Sequence, residues 1–316
     1  MCSIFSARIV ELMTTADTER TTAGRPTSPD ARTMLTLGAT ILSASALFMK
    51  LSGTTTGTAA FFRCLLALPV LLPLALRERR QLGGRSLRWA ALDLLAGFFL
   101  GLDLVLWGES IVNIGTGIAT VLNNVQVLAA PLLALLITRE RLSATFLLAT
   151  PVMLAGVALV GGVADSRAFG EAPAYGAVLG AASGVAYGGY LFLLRLGGKR
   201  HAGHRFSPAC LASTSAAATA LLVGGPWQGV DLVVGWPALG WLAALALSSQ
   251  VTGLLVVGSA LPRVPSSVGS TVLLLQPVLA VLWGVLVLGE SPTWWQLLGC
   301  VLVVGTVWFA GRRTSS

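Results

Sequence analysis

The chain of 316 residues is 55% apolar and 11% charged, with a formal net charge of +8. That is too apolar for a soluble globular domain of this length and too evenly apolar for a protein held by one anchor, so the chain reads as a polytopic membrane protein. The positive charge is not gathered on one basic domain, which argues against nucleic acid as a partner.

Residues 1–33 are rich in Thr, Ser and Arg and lack the apolar core and small-residue cleavage site of a signal peptide, so a flexible cytoplasmic tail is expected. Ten apolar stretches follow, at 34–51, 58–76, 88–108, 116–138, 143–162, 174–195, 208–225, 237–257, 265–288 and 293–311. Each is near the length of about 20 residues that a spanning helix needs, and a helix is favoured because a backbone group unpaired in hydrocarbon costs several kcal/mol. With the N-terminus placed in the cytoplasm, all but Lys50, Arg63 and Arg167 of the 21 lysines and arginines fall on the inner side. The positive-inside rule then puts both termini in the cytoplasm, with the chain multi-pass in the inner (plasma) membrane. Cys2, Cys64, Cys210 and Cys300 are isolated, without CxxC or metal-ligand spacing, so neither a disulfide framework nor a metal site is expected.

Span one ends with Lys50, and span two carries Arg63 five residues from its outer start. Asp103 in span three lies at matching depth. A carboxylate there costs about 2.5 to 3.5 kcal/mol on insertion scales and must face the interior. Two readings stay open: an Arg63–Asp103 ion pair that fixes register, or a proton or substrate-amine site that trades partners. Trp107 shares the Asp103 face one turn outward, as a cavity wall or an ordinary interfacial tryptophan.

Span four carries Asn123 and Gln126 three residues apart, with Thr116 and Thr120 extending the polar stripe and Asn124 turned away. Such a stripe serves either helix–helix hydrogen bonding or substrate contact. In span six, Gly176, Gly180, Gly184 and Gly188 repeat every fourth residue, which lets another backbone approach closely. Tyr187 and Tyr190 lie beside them, and only one is expected to reach the cavity. Gln250 in span eight either lines the cavity or bonds a neighbouring helix. Pro69, Pro73, Pro131, Pro151 and Pro277 fall within spans and invite kinks. "LGGKR" at Leu196–Arg200 is not a phosphate loop, since Leu193 and Arg200 stand where glycine and Ser or Thr belong.

The segment "ATVLNNVQVLAAPLLALLITRE" lies over "GSTVLLLQPVLAVLWGVLVLGE" without a gap at an offset of 150, pairing Gln126 with Gln276 and Glu140 with Glu290. Glycines follow in both, Gly156 and, after a one-residue slip, Gly305. Five helices per repeat force the halves, 34–162 and 174–311, into opposite orientations, a plan that places the substrate site near the midplane of secondary transporters. Gln126 lies about 15 Å from the outer end of span four at 1.5 Å per residue, close to mid-membrane.

In "GTGIATVLNNVQVLAAPLLALLITRERL" and "STVLLLQPVLAVLWGVLVLGESPTWWQLLGCVLVVGTV" the chain resembles the EamA-type transporters of the drug/metabolite transporter superfamily. The resemblance covers about 34–311 and implies ten helices with cytoplasmic ends, a central cavity, and movement of amino acids or other small metabolites, often outward. Departures are Gln126-Val127 against Gln276-Pro277, and a first span without the mid-span Trp that many relatives carry.

The expectation is therefore an all-α membrane carrier of two inverted five-helix repeats, with no cofactor or metal and a small-molecule substrate. Its substrate contacts are assigned to Gln126, Gln276, Asn123 and Asp103, backed by Trp107, Gln250, Arg63 and Lys50. An intramembrane enzyme on lipid-linked substrates would need paired acids or a His cluster within the spans, yet His201 and His204 lie in a loop. A non-transporting scaffold would not need the repeat-related amides.

Overall fold

The computed structural model describes residues 31–138, 144–165, 167–200, 203–257 and 272–313. Most of the tail, Glu140, His201, Arg263 and the start of span nine lie outside the described residues. Among the described residues every regular element is helical, and consecutive segments line up as ten rods. Rod α1 is Ala31–Leu51, α2 is Thr56–Leu82 and α3 is Leu87–Ile114. Rod α4 runs from Thr116–Leu122 through a 3-10 turn at Asn123–Val125 into Gln126–Thr138, and α5 is Ala144–Val160. Rods α6 and α7 are Pro173–Arg200 and Phe206–Gln228. Rod α8 begins as Trp236–Ala246 and continues with π-winding at Leu247–Val251 and Gly253–Val257. Rod α9 contains Leu275–Leu288 and α10 is Trp294–Arg313.

Rods α1, α2, α3, α6 and α7 are long and apolar enough to cross a membrane; parts of α5, α9 and α10 form shorter apolar helices. Large apolar side chains such as Val178, Leu222, Leu286 and Val301 are exposed on the outside of the bundle. A surface of that kind suits hydrocarbon rather than water.

Small residues let the rods close on one another. Rod α3 is the hub, packed along its length by α6 and α7. A Cβ on Gly97 or Gly101 would run into Ala212, Ala216 and Thr219 of α7. On α6, a Cβ at Gly176 would meet Asn113 and Ile114, one at Gly180 would lie 2.8 Å from Ser110 Oγ, and one at Gly184 would lie 2.6 Å from the Asn123 carbonyl oxygen. The glycine stripe is thus the seam on which α6 meets α3 and α4. Rods α5 and α10 cross glycine to glycine, at Gly156 and Gly299. Gly305, matched to Gly156 by a one-residue slip in sequence, has nothing within 4 Å of a Cβ and is not the partner.

The breaks have local causes. Rod α1 bends at Ala44, where Ser43 and Ser45 bond back to Thr40 and Leu42 carbonyls and compete with the helical ladder. Rod α2 is interrupted just before Leu68, with Pro69 opening the segment beyond. In α9 a turn at Leu274 precedes Pro277, as expected where the ring crowds the preceding turn.

Both ends of the bundle are tied by buried carboxylates. At one end Glu290, on the α9–α10 turn, accepts bonds at the N-terminus of α4. At the other, Glu78 of α2 accepts from the Arg205, Phe206 and Ser207 backbone N–H groups and the Ser207 hydroxyl at the N-terminus of α7. Also at the Glu78 end, Arg85 and Asp93 form a buried ion pair of 2.7 Å.

Candidate functional site

Three rods meet at one polar cluster inside the bundle. Asp103 of α3, 5% exposed, accepts a 2.7 Å bond from Asn123 Nδ2, which also donates to Ser183 Oγ of α6 at 3.0 Å. The Ser183 hydroxyl itself donates to the Gly180 carbonyl at 2.8 Å. The cluster forms because Gly180 and Gly184 bring α6 against the Asn123–Val125 turn, the one tightened stretch of α4.

Arg63 and Asp103 feel each other's charge but do not meet in a contact ion pair. No ion pair joins them; instead the Arg63 guanidinium carbon lies 5.6 Å from the centre of the Trp107 ring. Its buried Nε has no hydrogen-bond partner. The ion pair expected from matching depth is therefore not closed to contact, although the two opposite charges attract across the gap. Trp107 is only 7% exposed and so faces the bundle interior. Arg63 and Trp107 pack among Met49, Ala59, Ala60, Leu104 and Leu245, drawn from α1, α2, α3 and α8, leaving a gap too narrow for a water.

Tyr187 and Tyr190 both pack on the buried cluster of Ala60, Cys64, Leu100 and Leu104, with ring centroids 5.5 Å apart. The expectation that only one would face inward fails on simple geometry. A separation of three residues is 300° one way but only 60° the other, so both rings share a face.

The remaining candidates divide. Gln126 begins the second half of α4, and its Oε1 is buried without a partner. Gln276 is half-buried near the start of Leu275–Leu288, and no described hydrogen bond joins it to Gln126. Gln250 donates to Ser213 Oγ of α7 at 3.3 Å, which is a helix–helix bond. Lys50 is exposed at the Glu290 end and lines a separate pocket of about 360 Å³ with Ile111, Gly115, Phe169, Glu171, Leu288 and Glu290. Thr116 and Thr120 are used structurally, the first by Glu290 and the second by the Thr116 carbonyl. Asn124 is turned away and satisfied by the Thr120 and Val121 carbonyls.

Sequence reasoning missed Ser183, a small hydroxyl whose only cue was its place next to Gly184 in the glycine stripe. It also missed Gln296, fully buried, which accepts from Phe169 and Thr293 N–H groups and donates to the Val160 and Phe169 carbonyls. An amide one turn into a span is unremarkable in sequence, and only the fold shows that it staples the α5–α6 connection to α10.

The fold has known counterparts. One solved structure, described as "Crystal structure of protein", superposes with a TM-score of 0.54 at 18% identity, covering 90% of this chain and 99% of that one. At that identity the likeness is one of fold. No curated protein matches the chain significantly. The profile of the EamA-like transporter family, however, matches twice, over residues 32–162 and 174–312, which together span most of the sequence. With a bundle of apolar helices, a polar cluster buried at its centre and this double match, the chain belongs to the EamA-like transporter family, membrane transporters of the drug/metabolite transporter superfamily.

Proposed function

We propose that the chain is a secondary transporter of the inner membrane. It moves small metabolites, amino acids or related compounds, outward by alternating access. In this reading the ten rods are ten spans with both termini cytoplasmic, and two inverted five-helix repeats rock about a midplane site.

The packing pattern supports two halves related by a repeat. Exchanging α1–α5 with α6–α10 maps α6 on α3 onto α1 on α8, α7 on α3 onto α2 on α8, and α6 on α4 onto α1 on α9. The contacts of α5 with α10, α4 with α9 and α2 with α7 map onto themselves. That is the relation a two-fold axis between repeats requires.

The observation that carries the reading is the buried Asp103–Asn123–Ser183 cluster, built from α3 and α4 of the first repeat and α6 of the second. Polar and ionisable groups inside a membrane bundle mark substrate or ion pathways by default. Unpaired Gln126 Oε1 and Arg63 Nε add hydrogen-bonding capacity that the described protein groups do not use.

The test is counterflow into sealed proteoliposomes across a panel of amino acids and other metabolites. Flux above protein-free vesicles is expected, and Gln126→Ala and Gln276→Ala should each reduce it while the protein accumulates normally. Absence of flux across the panel would refute transport. Normal flux in both variants would move the site elsewhere.

A further inference from the structure

We propose that the pocket at the Glu290 end of the bundle seats the phosphoethanolamine headgroup of a membrane phospholipid, with Lys50 on the phosphate and Glu171 on the ammonium. Its walls come from the ends of rods and the turns between them: Lys50 near the end of α1, Val112 in the last turn of α3, Phe169 and Glu171 before α6, Leu288 at the end of α9 and Glu290 on the turn beyond. The volume of about 360 Å³ is within the range of small-ligand sites. Ends of spanning helices stand at headgroup depth, where a lysine offers a phosphate its complementary charge.

The charges of the pocket match that headgroup. Lys50 and Glu171 are both exposed, and neither forms an ion pair or hydrogen bond with a described residue. Glu290 differs, because its carboxylate is engaged by Thr116 and Gly117 at the start of α4, where the helix dipole offsets its charge. One charge of each sign is therefore left to meet a ligand. A phosphodiester with an ammonium answers both. A purely anionic headgroup leaves Glu171 opposed, and a quaternary ammonium has no N–H to donate to it.

The surface that leads away from the pocket marks the ligand as a lipid. Val278, Leu282 and Val285 of α9 are 44%, 46% and 40% exposed, and their spacing of four and then three residues puts them on one stripe. Leu288, in the pocket wall, follows three residues after Val285. From Val278 to Leu288 the helix rises about 15 Å at 1.5 Å per residue, half of a hydrocarbon core about 30 Å thick. That is the depth of one leaflet, so an acyl chain can pack along α9 while its headgroup stays in the pocket. Val112, 45% exposed, adds an apolar border on the α3 side.

The experiment is thermal unfolding of the purified full chain in detergent with added phosphatidylethanolamine, phosphatidylglycerol or phosphatidylcholine of the same acyl chains, and with soluble glycerophosphoethanolamine. Phosphatidylethanolamine should raise Tm by several degrees more than the other two lipids, and the soluble headgroup should leave Tm unchanged. Lys50→Gln and Glu171→Gln should each reduce the phosphatidylethanolamine increment to that of phosphatidylcholine. The assignment is overturned if phosphatidylglycerol or phosphatidylcholine stabilises as well as phosphatidylethanolamine, or if either variant keeps the full increment. It is equally overturned if glycerophosphoethanolamine alone stabilises as well as the lipid, which would make the pocket a site for soluble molecules. The headgroup comparison on the wild type needs no variant, so a misfolded variant does not rescue the idea. Nothing in it depends on the Asp103 cluster, so absence of flux in the counterflow assay would refute transport and leave the lipid site standing.

Discussion

Glu290 holds Thr116 by two bonds at once, 2.6 Å from the backbone N–H and 2.9 Å from the hydroxyl, with the Gly117 N–H approaching at 3.4 Å. The first N–H groups of a helix have no partner within the helix and carry the positive end of its dipole, so a carboxylate there satisfies both needs. Because Glu290 belongs to the α9–α10 turn, the cap also fastens α4 to α9. Gly284 permits it, since a Cβ at that position would collide with the Glu290 carboxylate.

Removing this cap leaves buried donors unpaired. Glu290→Ala should lower stability by about 1 to 3 kcal/mol, the usual cost of an orphaned buried donor. Glu78→Ala should do the same at the other end, where it strands the N–H groups of Arg205, Phe206 and Ser207. The two share no partner, so their effects should add. Thermal melts of both single variants and the double variant check this, and a double variant no weaker than either single one would contradict it.

The Asp103–Asn123 bond gives an asymmetric pair of variants. Asp103→Asn keeps a hydrogen-bonding side chain of the same shape and should accumulate near wild-type levels. Asn123→Leu strands a buried carboxylate and should be the more damaging change. Adding Asp103→Leu to Asn123→Leu should then recover part of the lost Tm, because replacing both partners is cheaper than orphaning one. A double variant less stable than Asn123→Leu would mean that Asp103 has another partner that matters more.

Close helix contact makes a sharp contrast between two glycines. Gly184→Val puts side-chain atoms into the Asn123 carbonyl and should sharply reduce accumulation of folded protein, since overpacking costs about 1 to 3 kcal/mol or more. Gly240, in α8, has nothing within 4 Å of a Cβ, so Gly240→Ala should be neutral or slightly stabilising. Fluorescence size-exclusion profiles of the two variants are the measurement, and equal behaviour would discredit the seam assigned to α6.

Sidedness is tested with an impermeant thiol reagent on intact cells, in a background where Cys2 is serine. Cys64, Cys210 and Cys300 are buried and should stay silent. A cysteine at Asp231 should label from outside and one at Gly84 should not. Reversed labelling would overturn the cytoplasmic placement of the termini.

Hydropathy and charge made the rods and the glycine seam legible, because length in hydrocarbon and i, i+4 spacing act directly on sequence. The partners of the polar residues were harder to see. Arg63 and Asp103 share a depth, but the rotation of each helix sends Asp103 towards Asn123 and Ser183 and Arg63 towards Trp107. Asn123 and Gln126 were given one face on helical spacing, and the 3-10 turn that begins at Asn123 eclipses i with i+3, although periodicity alone does not report how tightly a segment is wound. Glu290 was located by the repeat as a turn residue. Its cap was hidden because the partner, Thr116, is 174 residues away.

The two five-residue π stretches of α8 bear on how this rod tolerates change. A wide turn accommodates an additional residue without lengthening the helix in proportion, so the rod carries slack that an ordinary ladder lacks. Were one residue lost there, the backbone could close to normal winding, since an ordinary turn covers about the same rotation with one residue fewer, and the flanking segments would keep their orientation. Gln250 reaches Ser213 from within that slack. In α8, then, a single-residue deletion would re-aim a side chain within the wide turn without moving the ends of the rod.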